Sequence, residues 1–273
     1  MKIAFIGGGN MAGALLGGLL QKGYAATDLS VVEIDASARE RLTARFGVSA
    51  VPAAGAETAA SEVILLAVKP QQLRTVAQGL RPLLSAQLVI SIAAGIRTED
   101  LSRWLAGYAR IVRVMSNTPA LILAGVSALY AMPSVDAEVR ACAQGILAAV
   151  GSTLWVERED LLDAVTAVSG SGPAYVFYFI EALEQAASEL GLPAAAARRL
   201  SLETFLGASR LAGGSAEAPA VLRARVTSKG GTTERALASM ESNHVKSRIV
   251  DAVRSAAQRS RELGEELGKD RSE

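Results

Sequence analysis

Through the first 157 residues, short continuous apolar runs alternate with stretches in which apolar residues recur every three or four positions. Lys2 to Ile6 reads as a buried strand, and after Gly7-Gly8-Gly9 the residues Met11, Leu15, Leu16, Leu19 and Leu20 fall on one helical face. The alternation continues as strand (Leu29 to Ile34), helix (Ala36 to Phe46), strand (Val63 to Val68), helix (Gln71 to Leu80) and strand (Gln87 to Ile92). Helix Thr98 to Leu105, strand Arg110 to Met115, strand Val126 to Ala131, helix Val135 to Val150 and strand Ser152 to Val156 complete it. Repeated strand–helix units predict a doubly wound, mostly parallel sheet. The charged run Glu157-Arg-Glu-Asp160 marks the expected boundary, giving domains 1–157 and 158–273. Beyond it only helical periodicity is present: Asp160 to Val168, Pro173 to Leu190, Pro193 to Leu211, Ala218 to Val226, Thr232 to Met240 and His244 to about Leu267.

The glycine turn has the form G-x-G-x-x-A. Gly7 makes the turn, Gly9 removes a side chain that would block a pyrophosphate, and Ala12 permits close packing of helix on strand. Such a match alone is a weak signal. Here it follows a strand, opens a helix and precedes a second strand about 20 residues on, as a dinucleotide site requires. Ligands of doubly wound sheets bind at the carboxyl ends of the strands, so Ala67-Val-Lys-Pro70, Ala93-Ala-Gly95 and Ser116-Asn-Thr-Pro119 are expected to line the same crevice. Glu33 and Asp35 stand where an acid would accept a ribose 2′-hydroxyl, favouring NADH, whereas Ser37, Arg39 and Arg41 follow closely and could pair with a 2′-phosphate. The choice between NADH and NADPH stays open.

In the helical half, Val226 to Glu241 joins a hydroxyl- and glycine-rich turn to a short helix. Gly230 and Gly231 allow a tight turn, Thr232 and Thr233 are expected to cap the helix, and Thr227, Ser228 and Lys229 add donors. Unpaired amides at such a start suit a carboxylate or phosphate. Ala174 to Ile180 is apolar on nearly all sides, which predicts burial in a bundle or between subunits.

Composition narrows the function classes. Half of the 273 residues are hydrophobic, enough for a sizeable core, and 28 basic against 27 acidic residues leave no footprint for nucleic acid or an anionic membrane. The richest apolar run ends at Glu181, short of the roughly 20 residues that span a bilayer. Glycines also interrupt the apolar N-terminus before it could act as a signal peptide. A cytoplasmic protein is expected. The single cysteine, Cys142, excludes an internal disulfide framework and reads as a small core residue, and no metal site is expected. A mean hydropathy of +0.28 points to apolar surface buried between subunits.

The whole chain resembles the pyrroline-5-carboxylate reductase family. The resemblance rests on Phe5-Ile-Gly-Gly-Gly-Asn-Met-Ala12, Ala67-Val-Lys-Pro70, Ser91-Ile-Ala-Ala-Gly95 and Arg113-Val-Met-Ser-Asn-Thr-Pro119. It rests also on Val168-Ser-Gly-Ser-Gly-Pro-Ala-Tyr175 and, most specifically, on Val226-Thr-Ser-Lys-Gly-Gly-Thr-Thr-Glu-Arg-Ala-Leu237. It implies a Rossmann domain followed by an all-α dimerisation domain, with the active site between the cofactor crevice and the partner's helices. The implied activity is NADPH- or NADH-dependent reduction of 1-pyrroline-5-carboxylate to L-proline, in a homodimer formed through the C-terminal helices, with a larger assembly of dimers left open. It places the substrate carboxylate on Ser228, Gly231, Thr232 and Thr233, with Thr233 as candidate proton donor. The cofactor would lie against Gly7, Gly9, Asn10, Met11, Ala67, Val68, Lys69, Pro70, Ala93, Ala94, Gly95 and Asn117. Two positions depart from the family pattern: Ser116 stands where proline is usual, and Glu33-Ile34 replaces small polar or basic residues.

Reducing a cyclic imine needs a hydride donor, a proton for nitrogen and an anchor for the carboxylate, but no nucleophile and no metal. That suits a chain whose one histidine, His244, precedes the last helix, where a surface or capping role is expected. A hydroxyacid dehydrogenase of similar build is the nearest rival. Resemblance would give it a catalytic lysine early in the helical domain, and this chain has no lysine between Lys69 and Lys229. A non-catalytic NAD(P)-sensing module is the other alternative, and a second anion site in the helical half argues against it.

Overall fold

The computed structural model describes residues 1–269 and divides them into two compact units, Met1–Ser171 with the chain from Ala256 onward, and Gly172–Ser255. The first unit is built on an eight-stranded sheet of β1 (Ile3–Ile6), β2 (Leu29–Val32), β3 (Ser49–Val51), β4 (Val63–Leu66), β5 (Leu88–Ser91), β6 (Ile111–Met115), β7 (Gly125–Ala131) and β8 (Gly151–Trp155). Their order is β3-β2-β1-β4-β5-β6-β7-β8, parallel throughout except for the β6–β7 pair. The order reverses between β1 and β4, which places a crevice at the carboxyl ends of those two strands.

Helices α1 (Asn10–Gln21), α2 (Ala36–Phe46), α3 (Ala56–Ala59), α4 (Pro70–Leu80), α5 (Thr98–Trp104) and α6 (Ala137–Leu147) connect the strands. Alternate residues of each strand serve opposite faces. Ile3, Phe5, Val63 and Leu65 join a core with Leu15, Leu16 and Leu19 of α1, whereas Ile6, Ile64 and Leu66 join a second core with Leu73 and Ala77 of α4. Burial on both faces explains why these strands read as continuous apolar runs. Ala12 is fully buried in the first core, as the glycine pattern requires.

The structure corrects several expected bounds. The strand expected over Leu29 to Ile34 stops at Val32, and that over Val63 to Val68 stops at Leu66. Strand β3 and the single turn α3 lie where no element was expected. The helix expected over Asp160 to Val168 is α7 (Leu161–Val165) followed by a π-helical turn, Thr166–Gly170.

The second unit is helical: α8 (Gly172–Glu189), α9 (Ala194–Gly213), α10 (Pro219–Arg225), α11 (Thr232–Ser242) and the first part of α12 (Val245–Gly268). Helices α8 and α9 pack against each other. Large apolar side chains on this unit lie open, Tyr178 72% exposed and Leu190 85%. No helix among the described residues is long and apolar enough to cross a membrane.

Candidate active site

At the end of β1 the chain turns at Gly7, whose φ of +101° disfavours any residue with a side chain. Its amide donates to Val32 O at 2.8 Å, and a Cβ there would lie 2.8 Å from Ala67 O. The turn is thus pressed onto the exit of β4. Gly9 differs. Its φ of −71° is ordinary, and a Cβ added to it would meet nothing within 4 Å. Packing within the chain gives no reason for glycine at that position, but close approach by a ligand does. Gly9 is the N-cap of α1, no side chain caps that helix, and its first turn carries no acid. The leading amides and the positive end of the helix dipole are therefore available to an anion, so the turn fits the pyrophosphate of a dinucleotide.

A cleft of about 640 Å³ opens beside the turn, with Glu33, Ile34 and Asp35 on one wall and Ala67, Val68 and Lys69 on the other. The carboxylate of Glu33 accepts from Gly8 N at 2.9 Å and from Asp35 N at 3.0 Å, a part in holding the turn that the sequence did not disclose. Asp35 caps α2 by accepting from Ala38 N at 2.6 Å, and it also takes the Ser37 hydroxyl at 2.7 Å. The Ser37 hydroxyl, then the Ala38 amide, hold its carboxyl below the usual range.

The remaining expected cofactor residues are more scattered. Asn10 is exposed at the start of α1, whereas the side chain of Met11 packs on the first core. Pro70 is the first residue of α4 and lines a smaller cavity with Trp104 rather than the cleft. Ala93 is buried, Ala94 exposed, and Gly95 turns with a φ of +77° where a Cβ would stand 3.0 Å from Leu267. Asn117 is held at both ends of its amide, Oδ1 accepting from Val126 N at 2.9 Å and Nδ2 donating to Ser169 Oγ at 3.2 Å. Ser169 belongs to the π-helical turn, and the methyl of Met115 occupies the space a Cβ at Gly170 would need.

Two carboxylates that sequence reasoning passed over brace these loops. Glu159 accepts from Thr98 N at 2.7 Å, Thr98 Oγ1 at 2.6 Å and Arg113 Nη1 at 2.9 Å, tying the start of α5 to β6. Asp163 is buried and accepts from Ser260 Oγ at 2.7 Å, with Arg97 Nη2 3.8 Å from its other oxygen. Glu159 lies in the charged run at the domain boundary and Asp163 just beyond it, and charge runs ordinarily lie in solvent.

In the second unit the turn before α11 is formed as expected in shape but not in capping. Gly230 has a φ of +75°, and Gly231 N donates to Ser228 O at 3.0 Å. The N-cap is Gly231, with no side-chain bond, so Thr232 and Thr233 are the first residues of the helix rather than its caps. The ladder starts at Arg235 N to Gly231 O, 3.2 Å, leaving the amides of Thr232 and Thr233 ahead of it. A Cβ on Gly231 would lie 2.6 Å from Ser228 Oγ, so glycine lets that hydroxyl sit over the turn. One expected donor is spent elsewhere, Thr227 Oγ1 donating to Arg223 O at 2.7 Å, and the amide of Gly230 donates to the Glu234 carboxylate at 2.6 Å. Lys229 is exposed.

A family model described as pyrroline-5-carboxylate reductase dimerisation matches residues 159–263, and one described as NADP oxidoreductase, coenzyme F420-dependent, matches residues 2–95. The chain is 44% identical to the pyrroline-5-carboxylate reductase of Pseudomonas aeruginosa, over 98% of this chain and 98% of that relative. Among solved structures it is similar to a pyrroline-5-carboxylate reductase from Coxiella burnetii, with a TM-score of 0.92 and 39% identity over 96% of this chain and 98% of that one. A Plasmodium falciparum pyrroline carboxylate reductase with NADP bound matches with a TM-score of 0.85 and 28% identity, over 97% of this chain and 98% of that one.

Proposed function

The chain belongs to the pyrroline-5-carboxylate reductase family, and on that premise we propose that it reduces 1-pyrroline-5-carboxylate to L-proline with NADH or NADPH. The observation that carries the assignment of sites is that α1 and α11 both start at a glycine N-cap with no side chain bonded in the capping position. The first start receives the dinucleotide pyrophosphate, and the second receives the substrate carboxylate. Residues 1–157 then act as the dinucleotide-binding domain, and residues 158–273 as the substrate and dimerisation domain.

When bound, the reduced nicotinamide supplies the hydride that the imine carbon takes up. The chain's own part is positioning. The amides of Thr232 and Thr233, with the Ser228 hydroxyl, hold the carboxylate and so fix the ring, and orientation of this kind lowers a barrier without a strong acid or base. Gly231 keeps that surface clear of a side chain. The hydroxyl of Thr233 orients or relays the proton that nitrogen gains, a modest role for a weak acid. Gly9 and the leading amides at Asn10 and Met11 hold the pyrophosphate, on the turn that Gly7 makes possible. Ala67 to Lys69, Ala93 to Gly95 and Asn117 form the remaining contacts, and Pro70 starts the helix that follows the first of these loops.

The same reading makes the protein a homodimer, supported by the dimerisation family match over residues 159–263 and by the open Tyr178 and Leu190 side chains. Association of dimers into a larger assembly, and a cytoplasmic location, belong to the proposal. The test of function is oxidation of NADH and of NADPH on addition of 1-pyrroline-5-carboxylate, with L-proline identified as product. Turnover with at least one dinucleotide is expected, and none with either would overturn the reading.

A further inference from the structure

We propose that the cleft beside the glycine turn selects the dinucleotide with a free 2′-hydroxyl, NADH over NADPH, and that Glu33 makes the selection. The proposal rests on the reading of that cleft as the dinucleotide site.

Glu33 directly follows β2, at the carboxyl edge where the adenosine ribose of a dinucleotide lies in folds of this kind. Its carboxylate is fixed from two sides, by Gly8 N at 2.9 Å and by Asp35 N at 3.0 Å. Each oxygen spends one acceptor position on an amide and keeps another. A ribose hydroxyl can donate to the remaining position. A 2′-phosphate, carrying close to two negative charges at neutral pH, has little to donate and is repelled.

The places where a phosphate would otherwise collect partners are filled. At the start of α2, where free amides would suit an anion, the Ala38 amide is taken by the Asp35 carboxylate, a second negative charge on the same wall. Arg39 Nη1 donates to Glu33 O and Ile34 O, both at 2.8 Å, closing the loop between β2 and α2. Arg41 donates to Ser37 Oγ at 2.9 Å and does not line the cleft itself; it lines a neighbouring groove that meets the cleft at Gly8 and Gly9 and continues along Gly13 and Gly17. Ile34, 79% exposed, lines the cleft where an arginine could have clamped a phosphate, and its aliphatic surface suits an adenine ring instead. Lys69 is the cation among the described residues lining this cleft, against the two carboxylates.

The experiment is direct binding to the purified full-length protein without substrate, by calorimetry, using NADH, NADPH, ADP-ribose and its 2′-phosphate. NADH is expected to bind about tenfold or more tightly than NADPH, with the same ratio for the fragment pair. Glu33→Gln keeps the side chain's shape and a carbonyl acceptor but removes the charge, so the preference should collapse towards unity. Ile34→Arg changes an exposed side chain and should tighten NADPH alone. Equal or tighter binding of NADPH by the wild type, or an unchanged ratio in Glu33→Gln, would overturn the selection. Binding of none of the four ligands would remove the cleft reading, and the selection with it.

Discussion

Alanine in place of Gly7 and of Gly9 should separate the two jobs of the glycine turn, because the two residues are glycine for different reasons. At Gly7 the φ of +101° would strain a side chain by about 1–3 kcal/mol. A Cβ 2.8 Å from Ala67 O would add an overpacking cost of about 1–3 kcal/mol. The sum of about 2–6 kcal/mol should lower the melting temperature by roughly 5–20 °C. At Gly9 the backbone is one any residue adopts, and the new methyl would touch nothing. Restricting the unfolded chain stabilises the variant by about 0.4–1 kcal/mol, and the poorer N-cap costs a similar amount, so the shift should stay within about 2 °C. Dinucleotide affinity should nevertheless fall about ten- to a hundredfold, since the methyl holds the pyrophosphate off amides that each contribute about 1.5–3 kcal/mol to a charged acceptor. The assay pairs thermal unfolding without ligand, which removes linkage to binding, with calorimetric titration of NADH and NADPH. Binding by Gly9→Ala within twofold of wild type would refute the argument. So would a melting temperature as low as that of Gly7→Ala.

Other consequences can be checked separately. Thr233→Ala should lower kcat about 10- to 100-fold, at or below the low end for lost proton transfer because a hydroxyl is a weak acid, while dinucleotide affinity holds and Thr233→Ser recovers much of the rate; unchanged kinetics would remove Thr233 from the mechanism. Glu159→Ala leaves Arg113, whose side chain is 7% exposed, without its carboxylate, and should cost about 3–5 kcal/mol in denaturant unfolding; a loss below about 1 kcal/mol would show that the pair braces nothing. Burial, then the negative charge of Glu62, pushes the Cys142 thiol up, so its thiolate forms only at higher pH than in a free cysteine. Native protein should therefore be alkylated slowly at pH 7 and quickly once unfolded, and prompt stoichiometric labelling of the native chain would contradict this.

The sheet was legible because both faces of β1, β4 and β5 are buried, which writes each strand as an unbroken apolar run. Strand β3 was not, since Ser49-Ala-Val51 is short, partly exposed and followed by proline. The strand ends were overrun where apolar residues continue past the last ladder bond. Ile34 and Val68 belong to the cleft, not to the sheet. The glycine pattern located the anion site at α1, but it could not separate Gly7, which is glycine for the fold, from Gly9, which is glycine for a ligand. That distinction is a matter of what lies within a few ångströms across the chain. Glu33 was legible as an acid at the right place and illegible as the partner of Gly8, because a hydrogen bond across 25 residues leaves no mark in local spacing. In the helical half the turn at Ser228 to Thr233 was legible from composition alone and the helix starts at Thr232 as expected, but the cap is Gly231 rather than a threonine hydroxyl. Thr227 and Gly230 turned out to be occupied by Arg223 and Glu234.

The most direct test of the account is to follow the hydrogen itself. With NADH or NADPH carrying deuterium on the transferring face of nicotinamide carbon 4, the account predicts L-proline with one deuterium at the ring carbon next to nitrogen that was the imine carbon, and none at the carbon bearing the carboxylate. Proline without label at that carbon, or label lost to solvent, would contradict hydride transfer to the imine.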